Sequence, residues 1–193
     1  MKKVILVTIY LIFLSLISLT NTVPTTITEE SIETIRHYDL DLDGMEELIH
    51  IRSSLVTLED GVTNIFINDQ KTPELTLKGY FENSRVYDIK KGLRVLEIAV
   101  TTGKSINSVI YKYEKSKLVR IPVSTEKAPS FEGVVSRNYP EFKDVDNDGV
   151  MELVVYYRHF PFEKERTVEL YKFNDDIFQK YLEYEEVTEE VYL

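Results

Sequence analysis

The sequence predicts an all-β fold assembled from about three repeated antiparallel units. Three observations carry that prediction. Short runs rich in Val, Ile, Tyr and Phe succeed one another along the chain. Polar and glycine-containing breakers stand between them. One acidic phrase is written twice in the same register: Asp39-Leu40-Asp41-Leu42-Asp43-Gly44-Met45-Glu46-Glu47-Leu48 and Asp144-Val145-Asp146-Asn147-Asp148-Gly149-Val150-Met151-Glu152-Leu153. At average amino-acid usage two such matches are not chance.

Taken in order, the chain begins with Lys2 and Lys3, an uncharged and mostly apolar run to residue 19, and a polar stretch to residue 26. That layout is the n-region and h-region of an export signal. Residues 1–24 are therefore expected to be a signal peptide or an N-terminal membrane anchor, and residues 25–193 a single β-repeat domain outside the cytoplasm. Residues 29–35 read as one or two helical turns. Strands are expected at 47–53, 63–67, 75–78, 94–101, 108–114, 117–121, 152–159, 167–173 and 177–184. Asn68-Asp69, Thr102-Gly103 and Asn174-Asp175 are among the breakers. Residues 122–140, with Pro122, Pro129, Gly133 and Pro140, read as an irregular connection, and residues 187–193 are ambiguous.

A degraded third copy of the acidic phrase lies between the two intact ones. Asp88 aligns with Asp39 and Asp144, and Glu97-Ile98 aligns with Glu47-Leu48 and Glu152-Leu153, but Lys90 and Lys91 stand where ligands should be. This copy is read as a structural turn without metal. Three units follow, at about 30–80, 81–122 and 138–185, each a loop plus three or four strands.

The acidic phrases carry the chemistry. Alternate residues of a tight loop can point side-chain oxygens at one centre. Asp144, Asp146 and Asp148 do so in one phrase, and Asp39, Asp41 and Asp43 in the other. Gly149 and Gly44 allow the positive φ that turns the chain back. The carbonyls of Val150 and Met45 are placed to add a neutral ligand, and Glu152 and Glu47 close the shell. Several carboxylates and no nitrogen or sulfur favour calcium over magnesium and zinc. An EF-hand begins the same way, but it needs a glutamate at position 12 and a helix after it. Here position 12 is His50 or Val155, and the residues that follow read as strand.

That combination resembles the FG-GAP/VCBS repeat, the blade unit of integrin α-chain propellers and of many bacterial surface proteins. Residues 139–155 look very like such a repeat, and residues 38–51 almost as much. The resemblance implies two calcium ions, one at Asp39, Asp41, Asp43, Met45 and Glu47, the other at Asp144, Asp146, Asp148, Val150 and Glu152. It also implies propeller-blade-like units. The Phe-Gly and Gly-Ala-Pro elements are absent, and the chain has material for three blades where a full integrin-type ring has seven. The expected architecture is therefore a small or partial β-propeller-like domain.

Composition narrows the function. The 193 residues include no cysteine, which excludes thiolate zinc sites, iron–sulfur clusters, disulfides and cysteine nucleophiles. A net charge of -10 repels nucleic acid and anionic lipid. His37, His50 and His159 read as ordinary loop or strand residues. No nucleophile elbow and no phosphate-cradling glycine loop occurs. Most of the 13 tyrosines suit a sheet and its core better than a glycan platform. The sequence thus points to an exported calcium-binding module that binds a surface protein or glycan. An exported hydrolase with a calcium-stabilised β fold and a purely structural envelope protein are the alternatives.

Overall fold

Strand pairing sorts the described strands into three sheets. In the structure, a computed structural model that describes residues 30–55, 61–103, 105–124, 134–136, 139–157 and 164–187, the described residues form strands and turns and no helix. Strands β1 (Glu30–Tyr38), β2 (Glu47–Leu55), β3 (Val62–Ile67) and β4 (Leu75–Lys78) make the first sheet in chain order. The second holds β5 (Tyr80–Lys90), β6 (Leu93–Thr102), β7 (Ser105–Glu114) and β8 (Lys117–Ile121). After it come β9 (Val123–Ser124) and β10 (Val134–Ser136). The third sheet is built on β11 (Glu141–Lys143), β12 (Glu152–Tyr157), β13 (Glu165–Asn174) and β14 (Ile177–Val187). Each sheet is built on a four-strand antiparallel meander, to which the second and third each add one short strand, and none closes on itself. The connection between the second and third units is shared out. Strand β10 pairs with β7 beside β8, while β9 runs parallel to β14 at Phe178 and Gln179.

Period-two alternation decides how the sheets stack. On β2 and β3, Ile49, Ile51, Ile65 and Ile67 are buried against Phe81, Leu96, Ile98 and Val100 of the second sheet. The opposite face of the second sheet presents Val95, Ile110 and Ile121 to Leu153, Val155, Tyr171, Phe173 and Phe178 of the third. The middle sheet is thus buried on both sides, which is why 95–100 of β6 is buried without interruption. The two outer faces end differently. Beyond the first sheet, Glu33 accepts from Arg52 at 3.1 Å and lies 2.5 Å from His50 Nε2, and the Arg52 guanidinium sits over Phe66. Beyond the third, Arg166 lies 4.0 Å from the Tyr156 ring centroid and pairs with Glu186. Charged side chains over aromatic rings suit the water-facing ends of a repeat stack.

Gly79 joins the first sheet to the second at φ +121°, where an added Cβ would sit 2.8 Å from the Thr101 carbonyl oxygen. Its N–H donates to Gly61 O at 2.6 Å and its carbonyl accepts from Thr63 at 2.8 Å. No other residue fits that seam.

Two expectations are corrected. The segment expected to be helical at 29–35 is strand over its described residues: from Glu30 it belongs to β1, which pairs with β2 from Glu30↔Leu55 to Tyr38↔Glu47. β-branched Ile32, Thr34 and Ile35 suit a strand, and a full edge of β2 is there to receive them. The irregular connection at 122–140 contains two strands, because sheet edges lie within reach on both sides. Residues 1–24 and His159 lie outside the described residues, as do most of 187–193.

Candidate metal centre

Each intact acidic phrase is the loop at the first hairpin of its unit, between β1 and β2 or between β11 and β12. The two loops share one backbone. The fourth residue is left-handed in both, Leu42 at φ 63° and Asn147 at φ 61°, and so is the glycine, Gly44 at 89° and Gly149 at 85°. They also share a hydrogen-bond scheme. The glycine N–H donates to the first aspartate, Gly44 to Asp39 Oδ2 at 3.3 Å and Gly149 to Asp144 Oδ2 at 3.0 Å. The next N–H donates to the third aspartate, Met45 to Asp43 at 2.7 Å and Val150 to Asp148 at 2.9 Å. The third aspartate's own N–H donates to the second, at 3.2 Å in each. The last glutamate reaches back across the loop to accept from the second residue. Glu47 Oε2 takes the Leu40 N–H and Glu152 Oε2 the Val145 N–H, both at 2.8 Å.

These bonds turn the carboxylates inward. One oxygen each of Asp39, Asp41 and Asp43 lie within 4.8 Å of one another, and so do those of Asp144, Asp146 and Glu152. Two acidic groups can therefore hold a metal ion. In each loop a buried carboxylate oxygen has no protein partner: Asp39 Oδ1 in the first, Glu152 Oε1 in the third unit, where Glu152 is fully buried. A buried, unpaired carboxylate oxygen is costly, and a cation bound by oxygen would satisfy it. The hard, all-oxygen donor set fits calcium. Burial pushes the Glu47 carboxyl up, against the Leu40 N–H bond, and the charges of Asp41 and Asp43 push it further.

The structure places the expected ligands unevenly. Asp39, Asp41, Asp43, Asp144, Asp146 and Glu152 converge; Glu47 and Asp148 stand outside the two trios. Asp148 is drawn to a residue the sequence reading did not single out. Lys172 on β13 lies with its Nζ 2.7 Å from both Asp146 Oδ2 and Asp148 Oδ2, and this holds the Asp148 carboxyl below the usual range.

The middle unit has no such loop: the turn Lys91-Gly92 joins β5 to β6. The register then sets Asp88 opposite Arg94. Arg94 Nε and Nη2 donate to the two Asp88 oxygens at 2.6 and 3.0 Å, and Nη1 donates to the Asp39 carbonyl at 2.9 Å. The guanidinium thus compensates Asp88 and ties the second sheet to the first loop. On the other side, the Ile89 carbonyl accepts from Met151 N–H at 2.7 Å and so touches the third unit's loop. The closing acid survives as Glu97. Almost fully buried, it lies 3.2 Å from Arg85 Nε, without the alignment of a hydrogen bond, and takes the Tyr87 hydroxyl at 3.3 Å. Burial pushes its carboxyl up.

The remaining candidates behave as sheet residues. Tyr111 is buried in the first core layer, and the adjacent Tyr156 and Tyr157 face opposite sides of the third sheet. Tyr171 donates to Glu169, and burial raises the hydroxyls of both Tyr157 and Tyr171. Comparison with known proteins finds no matching family model, no matching curated protein and no matching solved structure.

Proposed function

We propose that the protein is an exported, calcium-binding β-repeat module of the FG-GAP/VCBS kind that works by binding a protein or glycan at the cell surface. The observation that carries the calcium reading is the duplicated loop. Two segments far apart in sequence fold to one backbone and one hydrogen-bond scheme, and each leaves a buried carboxylate oxygen to be satisfied. Two ions follow, one held by Asp39, Asp41, Asp43, Glu47 and the Met45 carbonyl, the other by Asp144, Asp146, Asp148, Glu152 and the Val150 carbonyl. The ions supply charge compensation and fix the loops against the strands that follow. The three stacked meanders support a partial propeller-like arrangement. The export-signal pattern at residues 1–24 supports an extracytoplasmic site, where calcium is plentiful. A surface of net charge -10 suits cations, basic proteins and neutral glycans.

Calorimetric titration tests the reading. It predicts two calcium sites in the roughly 0.1–1 mM range of extracellular modules. No heat of binding would remove the central claim. The surface role is tested by capture of cell-surface partners with calcium and with chelator; capture that ignores calcium would separate binding from the loops.

A further inference from the structure

We infer that Lys172 is a built-in competitor for the cation of the third unit's loop, so that the two loops fill at different calcium concentrations and the first loop fills first. The inference rests on the calcium reading above.

Register brings Lys172 to the loop. Strands β12 and β13 pair Leu153 with Tyr171, so the next residue on β13 stands beside Glu152 at the loop's mouth. From there the Nζ contacts Asp146 and Asp148 at once, at 2.7 Å each. Both acids are ligands in the proposed shell. A calcium ion needs carboxylate oxygens at about 2.3–2.6 Å, and an ammonium already held by the same two carboxylates opposes its entry by charge and by crowding. The lysine must leave before the ion can enter. It is able to leave, because its side chain is 40% exposed and ends a flexible four-carbon stem.

The ammonium is an incomplete substitute. It covers Asp146 and Asp148 and leaves the buried Glu152 Oε1 without a partner. An ion bound to all of these oxygens satisfies the group that the lysine cannot reach. The site is therefore a competition with a winner set by calcium concentration. The first loop has no such competitor. Among the described residues no lysine or arginine pairs with the carboxylates of Asp39, Asp41, Asp43 or Glu47. Where β3 runs past that loop it ends at Ile67 and is followed by Asn68, whose side chain accepts from the Leu48 N–H, and Asp69. Arg94 hydrogen-bonds the first loop through the Asp39 carbonyl and feels the Asp39 charge, but donates no hydrogen bond to that carboxylate.

The test is calcium calorimetry on the wild type, Lys172→Met, Lys172→Arg and Asp41→Asn. The wild type should show two steps of unequal affinity. Lys172→Met keeps the length of the side chain and removes its charge. It should tighten the weaker step by about threefold to tenfold, the worth of an exposed pair of ion contacts, and leave the other unchanged. Lys172→Arg should keep the weak step weak. Asp41→Asn should remove the tighter step. Two equal steps that Lys172→Met leaves unaltered would overturn the competition while leaving the calcium reading intact. Loss of the weaker step in Asp41→Asn would overturn the order of filling. No binding by any of the four proteins would overturn the calcium reading, and this inference with it.

Discussion

The two acidic loops share a backbone and a hydrogen-bond scheme, yet they sit in different electrostatic surroundings. The first is braced from outside, through its main chain, by Arg94 of the middle unit. The third unit's loop carries Lys172 at its mouth, paired with the carboxylates of Asp146 and Asp148. The middle unit goes further and closes the question with a permanent guanidinium on Asp88. The three hairpins thus differ in charge compensation: among the described residues no lysine or arginine pairs with the carboxylates of the first loop, a lysine pairs with two in the third unit, and a guanidinium holds Asp88 in the second. Loop geometry is set by glycine, aspartate and the closing glutamate, whereas the need for an external ion is set by what the neighbouring strands bring in.

The comparison is broken most forcefully by removing calcium. About tenfold saturation of two sites stabilises the folded state by roughly 1.4 kcal/mol each, near 3 kcal/mol together. Chelation should then lower the melting temperature by on the order of 5–10 °C. Millimolar calcium should restore it and equal magnesium only weakly. A melting curve indifferent to chelator would mean that hydrogen bonds alone hold the loops.

Next in size is the difference between an intact and a replaced loop. Asp148→Ala removes a carboxylate from the proposed shell and should reduce the titration from two sites to one. Asp88→Ala should leave two sites, because a guanidinium already serves that acid. Equal loss from both substitutions would mean that the middle turn takes part in binding.

Much of this was legible in the sequence, and what was hidden has a physical cause. Strands β4 and β8 have the bounds that apolar runs and their breakers imply, and the other runs the sequence marked lie within strands of the structure, except that 152–159 forms β12 only over Glu152–Tyr157 and its last two residues lie outside the described residues. The trios Asp39, Asp41, Asp43 and Asp144, Asp146, Glu152 were marked by spacing, since alternate residues of a tight loop share a side. Strand β1 was missed because Ile32 and Ile35 fit a helical period as well as an edge strand. Arg94 was missed although Lys91-Gly92 marks a two-residue hairpin turn. That turn pairs Lys90 with Leu93, and a bulge at Ile89 then brings Asp88 opposite Arg94. Attention fell on Lys90 and Lys91, the neighbours in sequence, when the neighbour across the hairpin mattered. Lys172 left no local mark. Its meeting with Asp146 depends on the pairing of β12 with β13, which only the folded sheet specifies.

Arg94 itself offers the next measurement. Arg94→Met should cost about 1 kcal/mol, a figure kept small because Asp88 is largely exposed. It should weaken calcium binding at the first loop by releasing the Asp39 carbonyl and leave the third unit's loop unchanged. The Arg94 bond lowers the Asp88 pKa below its unfolded value of about 3.9. Its contribution is therefore present above that pH and lost as pH falls through the folded value. Wild type and Arg94→Met should differ in melting temperature at neutral pH and converge in strong acid. A constant difference across that range would assign the effect to packing.

The smallest effect compares the loops at one backbone position. Leu42 and Asn147 occupy the same left-handed conformation, at φ 63° and 61°. Asparagine adopts it readily, whereas leucine pays for contact between its Cβ and the following carbonyl, roughly 1 kcal/mol. Leu42 is also 39% exposed, so its side chain recovers only part of that cost by burial. Leu42→Asn should then stabilise the protein by about 0.5–1 kcal/mol, a rise of roughly 1–4 °C in melting temperature. The reciprocal Asn147→Leu should lower it by a similar amount. The gain from Leu42→Asn should be present in chelator as well as in calcium, because it arises from the backbone and not from the ion. A gain seen only with calcium would mean that the first loop reaches the geometry of the third only when the metal draws it there. A loss in both conditions would mean that Leu42 packs over the first loop in a way that Asn147 does not repeat.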